Sequence, residues 1–171
     1  LGIFINPFYI SRRSLYYCIK KAGNTITGKT LDVGCGQKPY QHLFKSTEYI
    51  GLDIQTSGHN HATSKVDIFY DGKHFPFDNG CFDSVVTNQV LEHVFDPDDF
   101  LKEINRVMKP GGKLLITVPF VWDEHEQPYD YARYSSFGLE YLLKKIGFEI
   151  INSHKTARNI SVIFQLINMY I

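Results

Sequence analysis

Long apolar runs are missing from this 171-residue chain; none approaches the roughly 18 residues that a membrane-spanning helix needs. A charge excess is missing as well, since 18 basic side chains face 18 acidic ones. Sequence-independent nucleic-acid binders normally carry a basic surplus, so that class is set aside, although a local basic patch would survive the sum. Cysteine is scarce and odd in number: Cys18, Cys35 and Cys81 match neither a disulfide framework nor a zinc spacing. A reducing cytoplasm is the simplest setting. Repeats, low-complexity tracts and Pro/Ser-rich linkers are absent, which leaves a single domain over 1–171. The apolar start, Leu1 to Ile10, precedes Arg12 and Arg13 and is broken by Pro7, the reverse of a secretory signal's charge order.

What is present is core material: 43% of the chain is hydrophobic and 15% aromatic, enough to close one compact core. Ser11 is positioned to cap a first helix with Leu15, Cys18 and Ile19 inward. Lys29–Val33 ends at Gly34 and is expected as a buried strand entering a glycine turn. Pro39 suits the first turn of a helix through Phe44, and Tyr49–Ile54, Lys65–Ile68 and Asp83–Thr87 are expected as strands. The clearest element follows Asp96 and Pro97, where Phe100, Leu101, Ile104, Val107 and Met108 recur at helical spacing before Pro110, Gly111 and Gly112 end it. Leu114–Val118 is a strand. Ser135 or Ser136 begins a helix with Leu139, Leu142, Leu143 and Ile146 inward, closed by Gly147, and Phe148–Ile151 is a sixth strand. Strands alternating with helices imply a doubly wound, mostly parallel α/β sheet of Rossmann-like build.

Chemistry concentrates first at Leu31-Asp32-Val33-Gly34-Cys35-Gly36-Gln37. Two glycines after a first strand let the backbone turn sharply and approach a ligand. Asp53 ends the second strand, where a carboxylate can bind two ribose hydroxyls. A tight turn beside a solvated acid would show the same residues. A dinucleotide site wants a small third residue near position 39, but Pro39 stands there. Asp32 would repel a pyrophosphate and attract a cation. Both features disfavour an NAD-linked oxidoreductase and favour a positively charged nucleoside.

The segment Leu31–Gly36 resembles the glycine motif of class I S-adenosylmethionine-dependent methyltransferases, the small-molecule type with a methyltransferase domain 11-like pattern. Tyr49-Ile50-Gly51-Leu52-Asp53 is similar to the acidic end of their second strand. Val66-Asp67-Ile68, Phe75-Pro76-Phe77 and Phe82–Val86 resemble the adenine-contacting loop and fourth strand. Val90–Val94, Leu101–Ile104, Lys109–Gly112 and Leu114–Pro119 complete the ordered set. The cofactor half covers about 29–120. The resemblance implies S-adenosylmethionine as cofactor, with Asp32, Gly34, Cys35 and Gly36 around its methionyl part. Asp53 would take the ribose, Asp67 the adenine amino group, and Ile54 and Ile68 the faces of the ring. Asn88 and Gln89 would approach the methionyl end. Cys35 has no base placed to activate it and is expected to pack.

A loop at about 120–136, Glu124–Tyr134 at its centre, resembles a stretch in a subset of such enzymes. It offers His125, carboxylates, Tyr129 and the Arg133 fork. His125 is the candidate base for an acceptor hydroxyl, with Arg133 and Tyr129 beside it. A solvated aromatic loop held by ion pairs would show the same composition. His93 is expected to serve the cofactor loop or the structure. His59 and His61 lack a third ligand at fixed spacing, so no metal site is expected. The implied function is O- or N-methylation of a small-molecule acceptor by direct displacement. The rivals are a noncatalytic or incomplete cofactor-binding domain and an NAD-linked enzyme. A nucleic-acid acceptor is not expected, since no Asn-Pro-Pro-Tyr-type motif follows the fourth strand.

The segment 137–171 closes the chain, and its end is apolar from Ile160 to Ile171. A chain that begins without methionine and stops in such a stretch is expected to be part of a longer protein. Ile163, Leu166, Ile167, Tyr170 and Ile171 fall at helical spacing, although a strand buried on both faces also fits. The helical reading leaves the sheet without its last strand and predicts a covering partner for the helix: a second copy, further chain or a membrane surface.

Overall fold

The computed structural model describes residues 9–55, 64–156 and 160–170. Helix α1 (Tyr9–Ala22) leads into β1 (Thr27–Val33), β2 (Lys45–Ile54), β3 (Ile68–Tyr70) and β4 (Phe82–Asn88). Then come α2 (Pro97–Val107), β5 (Met108–Thr117), α3 (Ser136–Ile146) and α4 (Ile160–Tyr170). The five strands form one sheet in the order β3-β2-β1-β4-β5, and every pairing is parallel. The α/β expectation is met.

Parallel strands buried on both faces are apolar along their length rather than alternating. The last four residues of β1 and five of the seven in β4 are buried accordingly. Leu31, Val33, Val85 and Leu52 join Phe100, Leu101, Ile104 and Val107 of α2 in one core. Asp96 caps α2 by accepting the Asp99 N–H at 3.3 Å, with Pro97 in the first turn. Ser135 caps α3 in the same way, and Asn105 donates to the Ile146 carbonyl at 2.8 Å, tying α2 to α3.

Five expectations are corrected. Ser11 lies inside α1, which already includes Tyr9. The helix expected from Pro39 is a single 3₁₀ turn, Gln41–Leu43. Lys38 is left-handed at φ 54°, and β2 begins at Lys45, so no room remains for a second turn. Helix α2 ends at Val107, and Met108 already belongs to β5. The Pro110–Gly112 segment is therefore an irregularity within β5, where the register jumps from Phe82–Met108 to Ser84–Lys113. Finally, Phe148–Ile151 is not a strand. The Phe148 N–H is spent on the Leu143 carbonyl at 3.0 Å, closing α3 at Gly147, while Phe148 and Ile150 still pack on the core. The third strand is also displaced, from Lys65–Ile68 to Ile68–Tyr70.

The carboxyl end is helical as expected, and no described residue beyond β5 joins the sheet. Ile160, Ile163, Phe164 and Ile167 on α4 are all exposed. No helix among the described residues is long and apolar enough to cross a membrane.

The core assigns α2 two separable contributions. Leu101→Ala is expected to cost about 2–5 kcal/mol in urea denaturation. Asp96→Ala should cost only about 1 kcal/mol. A cap loss as large as the core loss would mean that α2 is held by its end rather than its face.

Candidate active site

The strand order places a switch point between β1 and β4. Successive crossovers run outward to β3, then return to β4 on the other side of β1. Ligands of open α/β sheets bind outside the carboxyl ends of the strands at that point. Gly34 turns β1 out at φ 70°, and a Cβ there would lie 2.3 Å from Val90 Cγ2, so only glycine lets the β1 and β4 exits close together. The Gly34 and Cys35 amides both donate to the Leu52 carbonyl, at 2.8 and 3.3 Å. Gly36 N–H donates to Asp53 Oδ2 at 3.1 Å. Asp53 Oδ1 accepts the Ile54 N–H at 2.9 Å. The sequence-predicted Gly34, Gly36 and Asp53 are thus one hydrogen-bonded unit.

Asp32 is 4% exposed and accepts the Tyr49 hydroxyl at 2.7 Å. Burial pushes its carboxyl up to about 7, against the opposing pull of Tyr49 and Lys38. Burial also raises the Cys35 thiol, to about 12, and the neighbouring Asp32 adds to the effect. Cys35 is buried, its Sγ 2.6 Å from where a Cβ on Gly51 would stand. Asp67 accepts the Gly51 N–H at 2.6 Å and also pairs with Lys38. Burial works against its charge, but those two donors hold it below the usual carboxylate range. Lys38, only 8% exposed in its side chain, was not a sequence candidate. Its ammonium also stands 5.9 Å from the centre of the Tyr49 ring. Nothing in a Gln-Lys-Pro tripeptide signals an inward lysine.

Ile54 and Ile68 lie on neighbouring strands, partly buried, with Leu52 opposite Ile68 in register. Asn88 and Gln89 both turn toward β5. Thr117 donates to Asn88 Oδ1 at 3.3 Å and accepts from Gln89 Nε2 at 3.2 Å. Gln89 is itself left-handed at φ 57°. His59 and His61 lie outside the described residues.

Beyond β4 the chain makes a 3₁₀ turn, Leu91–His93, on which the 122–134 loop is laid. Tyr131 and Ala132 donate to the Glu92 carbonyl at 2.8 and 3.3 Å. His93 Nδ1 meets the Tyr129 carbonyl at 2.8 Å. A carbonyl only accepts, so Nδ1 carries the proton and Nε2 the lone pair. His125 packs edge-on against His93 with ring centres 4.7 Å apart. Its Nδ1 faces the Asp123 carbonyl at 3.2 Å and Asp130 Oδ2 at 3.3 Å. The Arg133 guanidinium approaches the same nitrogen at 3.4 Å.

Arg133 grips Asp130 with both terminal nitrogens, at 2.5 and 2.7 Å. It also donates to the carbonyls of Trp122, Asp123 and Ala132. Its fork is directed at the loop itself, and holds the Asp130 carboxyl well below the usual range. Tyr129 contributes its backbone, donating to the Glu126 carbonyl at 3.0 Å besides accepting from His93. Sequence reasoning missed Glu92. Its side chain is fully buried, with no hydrogen-bond partner for either oxygen among the described residues. Burial pushes it up to about 7.

The fold and the switch-point turn define a doubly wound α/β domain of the nucleotide-cofactor kind. A family model described as Methyltransferase domain matches residues 31–116. A protein of Mycolicibacterium smegmatis named as a probable S-adenosylmethionine-dependent methyltransferase is 26% identical over 162 residues, 87% of this chain and 62% of that protein. A ubiquinone biosynthesis O-methyltransferase of Rhodopseudomonas palustris is 32% identical over 133 residues, 66% of this chain and 50% of its own. The Haemonchus contortus phosphoethanolamine N-methyltransferase 2, solved with S-adenosyl-L-methionine, shares the fold at TM-score 0.59 and 24% identity, over 85% of this chain and 39% of that one. The chain belongs to the class I S-adenosylmethionine-dependent methyltransferases, whose methyl donor is S-adenosylmethionine. It spans between half and two thirds of the length of the two curated relatives.

Asp32 gives the site a pH signature. Its folded pKa lies near 7, above the ordinary aspartate value, so the folded state keeps a proton that the unfolded chain loses. Its contribution to stability is complete below about pH 4 and is lost as pH rises through 7. Asp32→Asn should therefore stabilise the protein by on the order of 2–4 kcal/mol at pH 8 and be near neutral at pH 4. Urea denaturation at the two pH values checks this, and an equal effect at both would place the carboxylate in its charged form throughout.

Proposed function

We propose that this protein transfers the methyl group of S-adenosylmethionine to a hydroxyl or amine of a small-molecule acceptor. The observation that carries the reading is the Gly34–Gly36 turn hydrogen-bonded to Asp53 at the switch point. Asp53 takes the ribose hydroxyls, and the Gly36 amide fixes its carboxylate for the task. Asp32 faces the cationic methionyl part, where a nearby positive charge favours its ionised form. Asp67 takes the adenine amino group, and Ile54 and Ile68 border the ring. Asn88 and Gln89, braced by Thr117, close the methionyl end. The sulfonium is a methyl donor by itself, so the chain's work is to position the acceptor and keep water out.

The acceptor enters beneath the 122–134 loop, and its proton leaves toward the cluster of Glu92, His93 and His125. His125, the most exposed of the three, is the group nearest an incoming hydroxyl. Arg133 holds the loop in shape rather than clamping the acceptor. The O-methyltransferase name of the Rhodopseudomonas relative supports an oxygen acceptor. The even charge balance supports a small molecule over nucleic acid. The three unbridged thiols support a reducing, cytoplasmic setting. The exposed apolar side chains of α4 support contact with a second copy or a membrane surface.

A second reading, cofactor binding without turnover, draws on the five-stranded sheet, which gains no further strand among the described residues. An acceptor screen with labelled methyl donor separates the two: transfer to hydroxylated compounds is expected, and binding without transfer to any of them favours the second. Asp53→Ala should weaken S-adenosylhomocysteine binding by about 1.5–3 kcal/mol in calorimetry. Unchanged affinity would place the ribose elsewhere.

A further inference from the structure

The carboxylate of Glu92 is the least explained group in the molecule. It is fully buried, its two oxygens have no hydrogen-bond partner among the described residues, and His93 Nε2 beside it has none either. Burying such a carboxylate alone costs several kcal/mol. Arg133, whose positive charge reaches Glu92, is already gripped by Asp130. His93 stands 3.9 Å from Glu92 Oε1 and 3.5 Å from Glu126 Oε1. Ligand-capable atoms of Glu92, His93 and His125, one from each, lie within 4.8 Å of one another.

We propose that Glu92, His93 and His125 hold a first-row divalent transition cation, Zn²⁺ or Mn²⁺. Two imidazoles and one carboxylate suit such ions and leave positions open for a further ligand. His93 is preset for the role. His93 donates Nδ1–H to the Tyr129 carbonyl. His125 Nδ1 meets two acceptors, the Asp123 carbonyl and Asp130, and one donor, Arg133. The outer partner of His93 leaves its Nε2 lone pair for a metal, as second-shell groups of metal sites do, and the ion itself would select the tautomer of His125. Ligand atoms around a tetrahedral ion stand about 3.3 Å apart at bond lengths near 2.0–2.1 Å. Binding would draw the present spacing in toward that value. Glu126, 3.5 Å from His93 Nε2, borders the cluster.

The site lies on the turn that leaves β4, two residues after the Val90 side chain that packs over Gly34. Resting on the methyltransferase reading, a cation held there would take an acceptor oxygen at an open position. Coordination would lower the pKa of that hydroxyl. His125, then a ligand, would no longer take the proton, which would pass to solvent as the oxygen formed the new O–CH₃ bond and the S–CH₃ bond broke with its electron pair returning to sulfur. S-adenosylhomocysteine, methylated acceptor and one proton are the products.

The test uses the full chain stripped with chelator and titrated with Zn²⁺ by calorimetry and with Mn²⁺ by paramagnetic resonance. S-adenosylhomocysteine binding is measured on the same samples. Expected is one cation per chain, with at least about tenfold weaker binding in His125→Ala and in Glu92→Gln. S-adenosylhomocysteine affinity should hold within about twofold in His125→Ala, whose partly exposed ring makes that variant the safeguard should Glu92→Gln fail to fold. Neither ion binding the parent while S-adenosylhomocysteine still binds would overturn the site, as would unchanged ion affinity in His125→Ala. Loss of S-adenosylhomocysteine binding by the parent would instead defeat the methyltransferase reading, with the ion titration still deciding the site. Turnover that persists under chelation would remove the cation from catalysis and return His125 to the role of unaided base.

Discussion

The Leu52 carbonyl accepts two amides, those of Gly34 and Cys35, and the cofactor side of the molecule hangs from that arrangement. It bends the chain out of the central strand while keeping it against β2. Only from there can the Gly36 amide reach Asp53, and only there does Gly51 run close enough to Cys35 and Lys38 that a Cβ would meet Lys38 Cε at 2.4 Å. The apolar strands beneath set the height of the turn, and Val90 closes it from the β4 side. Packing and ligand geometry are one requirement here, because each strand exit is fixed by its neighbour.

The 122–134 loop is organised by ions rather than by strands. Asp130 receives Arg133 through two contacts and the His125 amide through a third. Arg133 then collects three carbonyls of the loop. This is a fully used guanidinium, partly shielded from water, and it gives a loop without regular structure a defined shape. The rings of His93 and His125 are presented over Glu92 by that shape. The two halves of the site thus rest on different physics: hydrogen bonds of a rigid sheet on one side, an ion-paired loop on the other.

Much of the fold was legible because its signals are local. The caps at Asp96 and Ser135, the helical spacing of Phe100, Leu101 and Ile104, and the glycine exit after Val33 each act within one turn of chain. Phe148–Ile151 misled because its apolar residues do pack on the core, while the edge pairing that defines a strand depends on a partner the sequence does not name. The Pro39 helix failed for lack of space before β2. At the site, Asp53 and the glycines were legible from their place after strands. Glu92 was not, since an acid next to a histidine on a short turn looks solvated until the loop folded over it is known. The direction of Arg133 was likewise open until Asp130 was seen to claim it.

Lys38 has a consequence of another kind. Tethered by its own backbone and seated on Asp67, it is a built-in competitor, present at a fixed local concentration of the order set by short linkers, in the millimolar range. Any amine or amide that approaches Asp67 must match that occupant or share the carboxylate with it.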